Sequence, residues 1–254
     1  MNPFRSGATL LLLISCTLAF AQKKSGINEL KTLNKIDTVV GKGEPVKNGD
    51  RVYVIYRGTL KNGTEFDSNT AGSASPYSFI VGNDNVIKGW HMGIVGMKVG
   101  GTRKLEIPDE FAYGNEANGE KIAANSDLYF EIKLLHVIRP GEENYYDTED
   151  LKAGSGKAVQ QGSLVEVTYK AKLLNGRVFE DRSKKPVMFR VGDKKVQPKD
   201  RIPIIGIRAA IVGMKEGGTR KITLPPSLAF GAMAKAGAPP NSVVIYEITV
   251  ISVK

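Results

Sequence analysis

One cysteine, two histidines and one tryptophan in 254 residues exclude much chemistry before any motif is sought. Cys16 lies inside the N-terminal apolar run, so a chain cut behind that run holds no thiol. Disulfides, a catalytic cysteine and a cysteine-ligated metal then drop out. His91 and His136 stand far apart without metal-ligand spacing. No G-x-S-x-G elbow occurs. The stretch GSGK (154–157) lacks both the earlier glycine and the following Ser/Thr of a phosphate loop, and reads as a flexible linker end. An enzyme built on this chain is expected to work without metal, cofactor or covalent nucleophile.

Apolar runs are short. ATLLLLISCTLAF (8–20) is too brief to cross a bilayer comfortably. It follows Arg5 and ends in Ala19-Phe20-Ala21 before a polar stretch, the form of a secretory signal cut after Ala21. Leu13-Ile14-Ser15-Cys16 offers a second reading, a lipoprotein box with Cys16 lipidated, which would leave an apolar stretch just behind the anchor. Both readings send the protein to the periplasm or cell envelope. Bacterial origin follows from the signal pattern, and a eukaryotic secretory route stays open. The full chain is 41% hydrophobic and 24% charged, as in soluble globular proteins. Charge is uneven: residues 34–140 carry 13 basic and 13 acidic side chains, 141–156 net −4, and 157–254 18 basic against 7 acidic, net +11. The basicity belongs to the C-terminal part. It could serve an anionic surface or an acidic protein, or simply solvation. No nucleic-acid-binding motif accompanies it.

The chain is written twice. GIVGMKVGGTRKLEIP (93–108) aligns without a gap on AIVGMKEGGTRKITLP (210–225), at an offset of 117. Residues 52–67 align on 165–180 at 113, pairing Tyr56 with Tyr169 and Phe66 with Phe179. SPYSFIVG (75–82) meets KPVMFRVG (185–192), and LYFEI (128–132) meets VIYEI (244–248). A repeat of about 110 residues is large enough for a self-sufficient domain. The expected organisation is a lead-in at 22–33, a domain at 34–140, an acidic linker at 141–156 and a domain at 157–254.

Each copy reads mostly as strand. RVYVIYRGTL and TRKLEI alternate, and Asn62-Gly63 and Asn175-Gly176 signal hairpin turns. One short helix per copy is predicted, around 86–95 and 204–212, because Val86, Ile87, Trp90, Ile94 and Val95 follow helical spacing. The expected fold class is α+β, two tandem domains, each an antiparallel sheet curled over one short helix.

The first copy is rich in aromatics: Tyr56, Phe66, Tyr77, Phe79, Trp90, Phe111, Tyr113 and Phe130. Tyr56, G-T-L-x-x-G-x-x-F-D-S (58–68), Val86-Ile87-x-G-W, G-M-x-x-G (96–100), F-A-Y-G (111–114) and Phe130 together resemble the FKBP-type peptidyl-prolyl cis–trans isomerases. The resemblance runs through essentially all of 34–138 and, more weakly, 150–254. It implies a pocket floored by Trp90, walled by Tyr56, Phe66, Val86, Ile87 and Phe130, with Tyr77 on the rim and Ile122 among the substrate-binding residues. It makes Tyr113 the hydroxyl that hydrogen-bonds a substrate carbonyl and Asp67 the acid orienting the polar edge. It further implies proline-containing polypeptides as substrates and the family's macrolides as inhibitors. Copy one departs from the family at Ile122-Ala123-Ala124-Asn125, where I-P-P is usual, at Asn85, and in lacking an arginine within 69–75.

Copy two keeps the scaffold residues and not the site. Glu180 stands for Asp67, Ile207 for Trp90, Phe230 for Tyr113, Tyr246 for Phe130, Val187 for Tyr77 and Pro203-Ile204 for Val86-Ile87. The expectation is an active first copy, an inactive second one, and a basic insertion at 193–202. A non-catalytic chaperone that holds extended segments in the same groove is the alternative.

Overall fold

The computed structural model describes residues 31–72, 74–83, 86–192, 204–235 and 237–254. The expected signal at 1–21, Cys16, most of the 22–33 lead-in, Asn85 and the 193–202 insertion lie outside the described residues. Copy one runs β1 (Asn34–Val39), β2 (Arg51–Leu60), β3 (Glu65–Ser68), β4 (Tyr77–Ile80), α1 (Lys88–Ile94), β5 (Thr102–Ile107) and β6 (Leu128–Ile138). Copy two repeats the order as β7 (Asp147–Lys152), β8 (Leu164–Leu173), β9 (Val178–Asp181), β10 (Val187–Arg190), α2 (Ile205–Ala210), β11 (Thr219–Leu224) and β12 (Val244–Val253).

All strand pairs are antiparallel. The first sheet has the order β1-β5-β6-β2-β3, with β4 also on β2. The second has the order β10-β8-β12-β11-β7, with β9 also on β8. Alternation sets the faces: Leu105 and Ile107 of β5 point inward while Lys104 and Glu106 face water, and β6 buries Leu128, Phe130, Ile132 and Leu134. The hairpin expected at Asn62-Gly63 closes by Leu60 N–H donating to Thr64 O (2.9 Å).

The helix of seven residues is too short to stand alone, and no side chain caps its N-terminus. Packing holds it. Trp90 and Ile94 are buried, and a Cβ on Gly93 would come within 2.4 Å of Leu105, so the helix backbone lies directly on β5. Its last carbonyls are gathered by Arg103, whose Nη1 donates to Gly93 O (2.7 Å) and Val95 O (2.9 Å). Nε and Nη2 of the same guanidinium donate to the two oxygens of Asp37 on β1 (2.6 and 2.9 Å). Arg220 repeats this in copy two, joining Ala210 O (2.7 Å) to Asp150 of β7 (2.6 and 3.1 Å).

Two expectations need correction. Residues 141–156 are not a linker throughout, since 147–152 form β7, the edge strand of the second sheet, on β11. Their acidity is complementary to that strand: Asp150 pairs with Arg220 and Glu149 with Lys221. With β7 included, copy two carries 19 basic and 10 acidic residues, net +9. Val86 and Ile87 are not helical either. Ile87 is extended (φ −58°, ψ 148°) just before α1, and it packs half-buried against the core from that backbone.

Residues Thr32–Lys254 form one compact unit. Each copy has its own core, and a third apolar cluster joins them: Tyr53 and Ile138 of copy one with Val243 and Leu174 of copy two.

Candidate functional site

The concave face of the first sheet and the start of α1 bring most of the expected residues together. Trp90 is 5% exposed, and other rings present their edges or tilted faces to it. Tyr56 of β2 lies 4.9 Å away at 77°, Phe130 of β6 5.2 Å at 86°, and Tyr77 of β4 5.9 Å at 83°. Phe66 of β3 meets Phe130 at 5.5 Å and 84°. Edge-to-face pairs of this kind contribute about 0.5–1.5 kcal/mol each beyond their burial. Gly58 makes room for two of these rings, since a Cβ there would lie 2.6 Å from Phe66 and 2.8 Å from Phe130. Val86 and Ile87 are half-buried against the same core, and Ile122 is buried in it.

Polar groups sit along the edge. Tyr56 O–H donates to Asp67 Oδ2 at 2.6 Å, while Asp67 itself is exposed. Burial, reinforced by that hydrogen bond and the Asp67 charge, pushes the Tyr56 hydroxyl well above the ordinary tyrosine range. Tyr113 is 38% exposed, and burial followed by the Asp67 charge also raises its hydroxyl, with a hydrogen bond to Asn118 acting in the opposite direction. Both phenols stay protonated near neutral pH and remain donors.

The Ala123-Ala124 departure leaves the closing turn of the loop as it is in copy two. Asn125 (φ 58°) donates its N–H to Gly114 O at 2.7 Å, and Asn241 (φ 57°) does the same to Gly231 O at 2.7 Å behind the two prolines of copy two. Asparagine tolerates this left-handed conformation, so the turn does not need Pro-Pro.

Several residues escaped sequence reasoning as parts of the site. Phe79 packs under Trp90 (5.5 Å). Lys121 Nζ reaches Phe66 O (3.3 Å), tying the Ile122 loop to β3. Asn69 accepts from Tyr56 N (2.7 Å) and donates to Val54 O (3.1 Å) and Ser75 O (3.0 Å). Lys121 and Asn69 act on backbone, which a sequence pattern does not display. His91 holds structure: its Nδ1 accepts from Gly82 N at 2.9 Å and its ring meets Phe79.

In copy two the residues at the positions matching Trp90 and Tyr113 are buried side chains of the core. Ile207 is 0% exposed, and Phe230 is only 8% exposed, against 38% for Tyr113 at the matching position. Phe230 meets Phe179 at 6.0 Å and lies in the core with Tyr246 and Val187.

The model of the FKBP-type peptidyl-prolyl cis-trans isomerase family matches residues 42–135 and again 155–251. FK506-binding protein 4 of Saccharomyces cerevisiae is 50% identical over 101 residues, 40% of this chain and 25% of that one. FK506-binding protein 4 of Gibberella zeae is 44% identical over 113 residues, 44% of this chain and 22% of that one. The chain thus spans about a quarter of the length of these curated relatives. Among solved structures, FkpA from Escherichia coli is 43% identical, with 41% of this chain and 47% of that one covered and a TM-score of 0.38. The three FKBP domains of wheat FKBP73 are 25% identical, with 87% and 94% covered and a TM-score of 0.38. With both copies matched and most of its length covered, the chain belongs to the FKBP-type peptidyl-prolyl cis–trans isomerase family.

Proposed function

We propose that copy one accelerates rotation about X-Pro bonds in exported polypeptides, and that copy two is catalytically silent. The observation that carries this reading is Trp90 edged by aromatic rings, with Tyr113 exposed near Tyr56 and Asp67, in copy one alone. Amide resonance sets a barrier of about 18–20 kcal/mol, and X-Pro rotation unaided takes tens of seconds or more. The twisted transition state loses that resonance and with it part of the charge separation between N and O. A water-poor aromatic surface therefore favours it over the hydrated planar amide. The rings would hold the pyrrolidine, and Tyr113 would donate to a substrate carbonyl, fixing orientation. Asp67, by accepting from Tyr56, holds that ring upright against Trp90. No proton is transferred and no covalent bond forms. The same pocket is the place for FK506, the ligand that the relatives' names print.

Export rests on the sequence of residues 1–21, and an anionic partner for copy two rests on its basic charge. The burial of Phe230, which carries no hydroxyl where Tyr113 has one, supports its silence.

The test is a proline-isomerisation assay on the full chain. Acceleration is expected from the wild type. Tyr113→Phe should lower kcat/KM about tenfold, the effect of one hydrogen bond. Trp90→Ile should abolish acceleration, and Phe230→Leu should leave it unchanged. A wild-type chain that binds proline peptides without accelerating rotation would select the holding reading instead.

A further inference from the structure

The hairpin and loop that frame the pocket in copy one have counterparts in copy two, and there they are turned against copy one. Asn175 Nδ2 donates to Ala74 O (2.8 Å). Arg177 Nη2 donates both to Ser75 Oγ (3.1 Å) and to Gly237 O (2.8 Å). Ala74 and Ser75 lead into β4, whose first residue is Tyr77 on the pocket rim. From Ser75 the hydrogen bonds continue without a break: Ser75 O accepts from Asn69 Nδ2, Asn69 Oδ1 accepts from Tyr56 N, and Tyr56 O–H donates to Asp67. Copy one supplies no arginine of its own within residues 69–75.

We propose that Arg177 of copy two, with Asn175 beside it, is a positioning residue for the site of copy one. It touches no substrate. Its planar guanidinium fixes Ser75 relative to Gly237, and thereby the approach to Tyr77 and the Asn69 bridge to Tyr56. Among the described residues between β3 and β4 the only backbone bonds are Asn69 N–H to Tyr56 O and Ala74 N–H to Ala71 O, so these side-chain bonds add to what sets its course. The second copy is thus a brace: its hairpin, through Asn175 and Arg177, holds the rim of the first copy's site. This inference rests on the assignment of the site to copy one.

The experiment uses the full chain and reads two quantities, the affinity for a proline-containing tetrapeptide from Trp90 fluorescence and the isomerisation kinetics. Because Tyr77 lines the rim in ground and transition states alike, Arg177→Ala should raise Kd and KM together, about three- to tenfold, with kcat little changed. Ser75→Ala, which removes the acceptor from the other side, should reproduce the effect. The double variant should lose no more than either single one. Arg177→Lys, lacking the fork, should recover only part. Wild-type affinity in Arg177→Ala, or losses that add in the double variant, would overturn the proposal. A wild-type chain that binds without isomerising would instead sink the enzymatic reading, and the comparison of Kd values would still decide this one.

Discussion

Trp90 shows how much a single residue can carry. Its motif, Val86-Ile87-x-G-W, carried the family resemblance in the sequence, and the rings of Tyr56, Phe130 and Tyr77 surround it in the structure. What sequence did not display is the support behind them: Gly58 making room, Asn69 holding the Tyr56 amide, Lys121 pinning a loop. Such roles depend on which backbone atoms the fold brings near, and spacing along the chain does not encode that. Protonation gives a test at this scale. Burial and Asp67 raise the Tyr56 hydroxyl, and Tyr169 and Tyr246 are raised chiefly by burial. Their contribution to stability is fully present below the ordinary tyrosine pKa of about 10. It is lost as pH climbs towards the raised folded values, because the unfolded chain releases its protons first. Urea unfolding at pH 8 and pH 11 should therefore show a clear loss at the higher pH, and Tyr56→Phe should reduce that loss.

At the scale of elements, alternating strands and the duplicated order were readable, and β7 was not. Its sequence is charged and exposed along its whole length, so nothing in its apolar pattern marks a strand. It is an edge strand recruited by charge, with Asp150 and Glu149 facing Arg220 and Lys221. β1 is its counterpart, equally exposed and anchored by Asp37 to Arg103. Arg103 binds two helix carbonyls and one edge strand at once, so Arg103→Met should destabilise copy one by about 3 kcal/mol in denaturant titration. The hydrogen bond from Arg103 holds the Asp37 carboxyl below the ordinary aspartate value, and Arg220 does the same for Asp150. That stabilisation is complete above about pH 4 and disappears as pH falls through the lowered values. Acid unfolding followed by Trp90 fluorescence should begin at higher pH in Asp37→Asn than in the wild type.

The whole molecule is two cores joined by a small third one. The sequence disclosed the duplication, but Tyr53 and Ile138 read there only as strand residues. Their burial against Val243 and Leu174 becomes visible once the copies are seated. Tyr53 O–H also reaches Asn241 O (3.4 Å), and Ser227 Oγ donates to Glu143 O. Charge placed at this junction should uncouple the copies. In Val243→Asp, unfolding followed by Trp90 fluorescence, which reports copy one, and by far-ultraviolet dichroism, which reports both, should separate into two transitions where the wild type shows one.

The two sides of that junction are unlike, and the strand registers show how. Where copy one has Tyr53 and Ile138, copy two has Glu166 and Lys254; where copy two has Leu174 and Val243, copy one has Lys61 and Asp127. A head-to-tail contact between repeats is the kind that can propagate from molecule to molecule into a filament. Here each apolar half is used once, within the chain, and its counterpart on the other repeat is charged. Duplication has produced a pair that cannot polymerise through the surface that joins it.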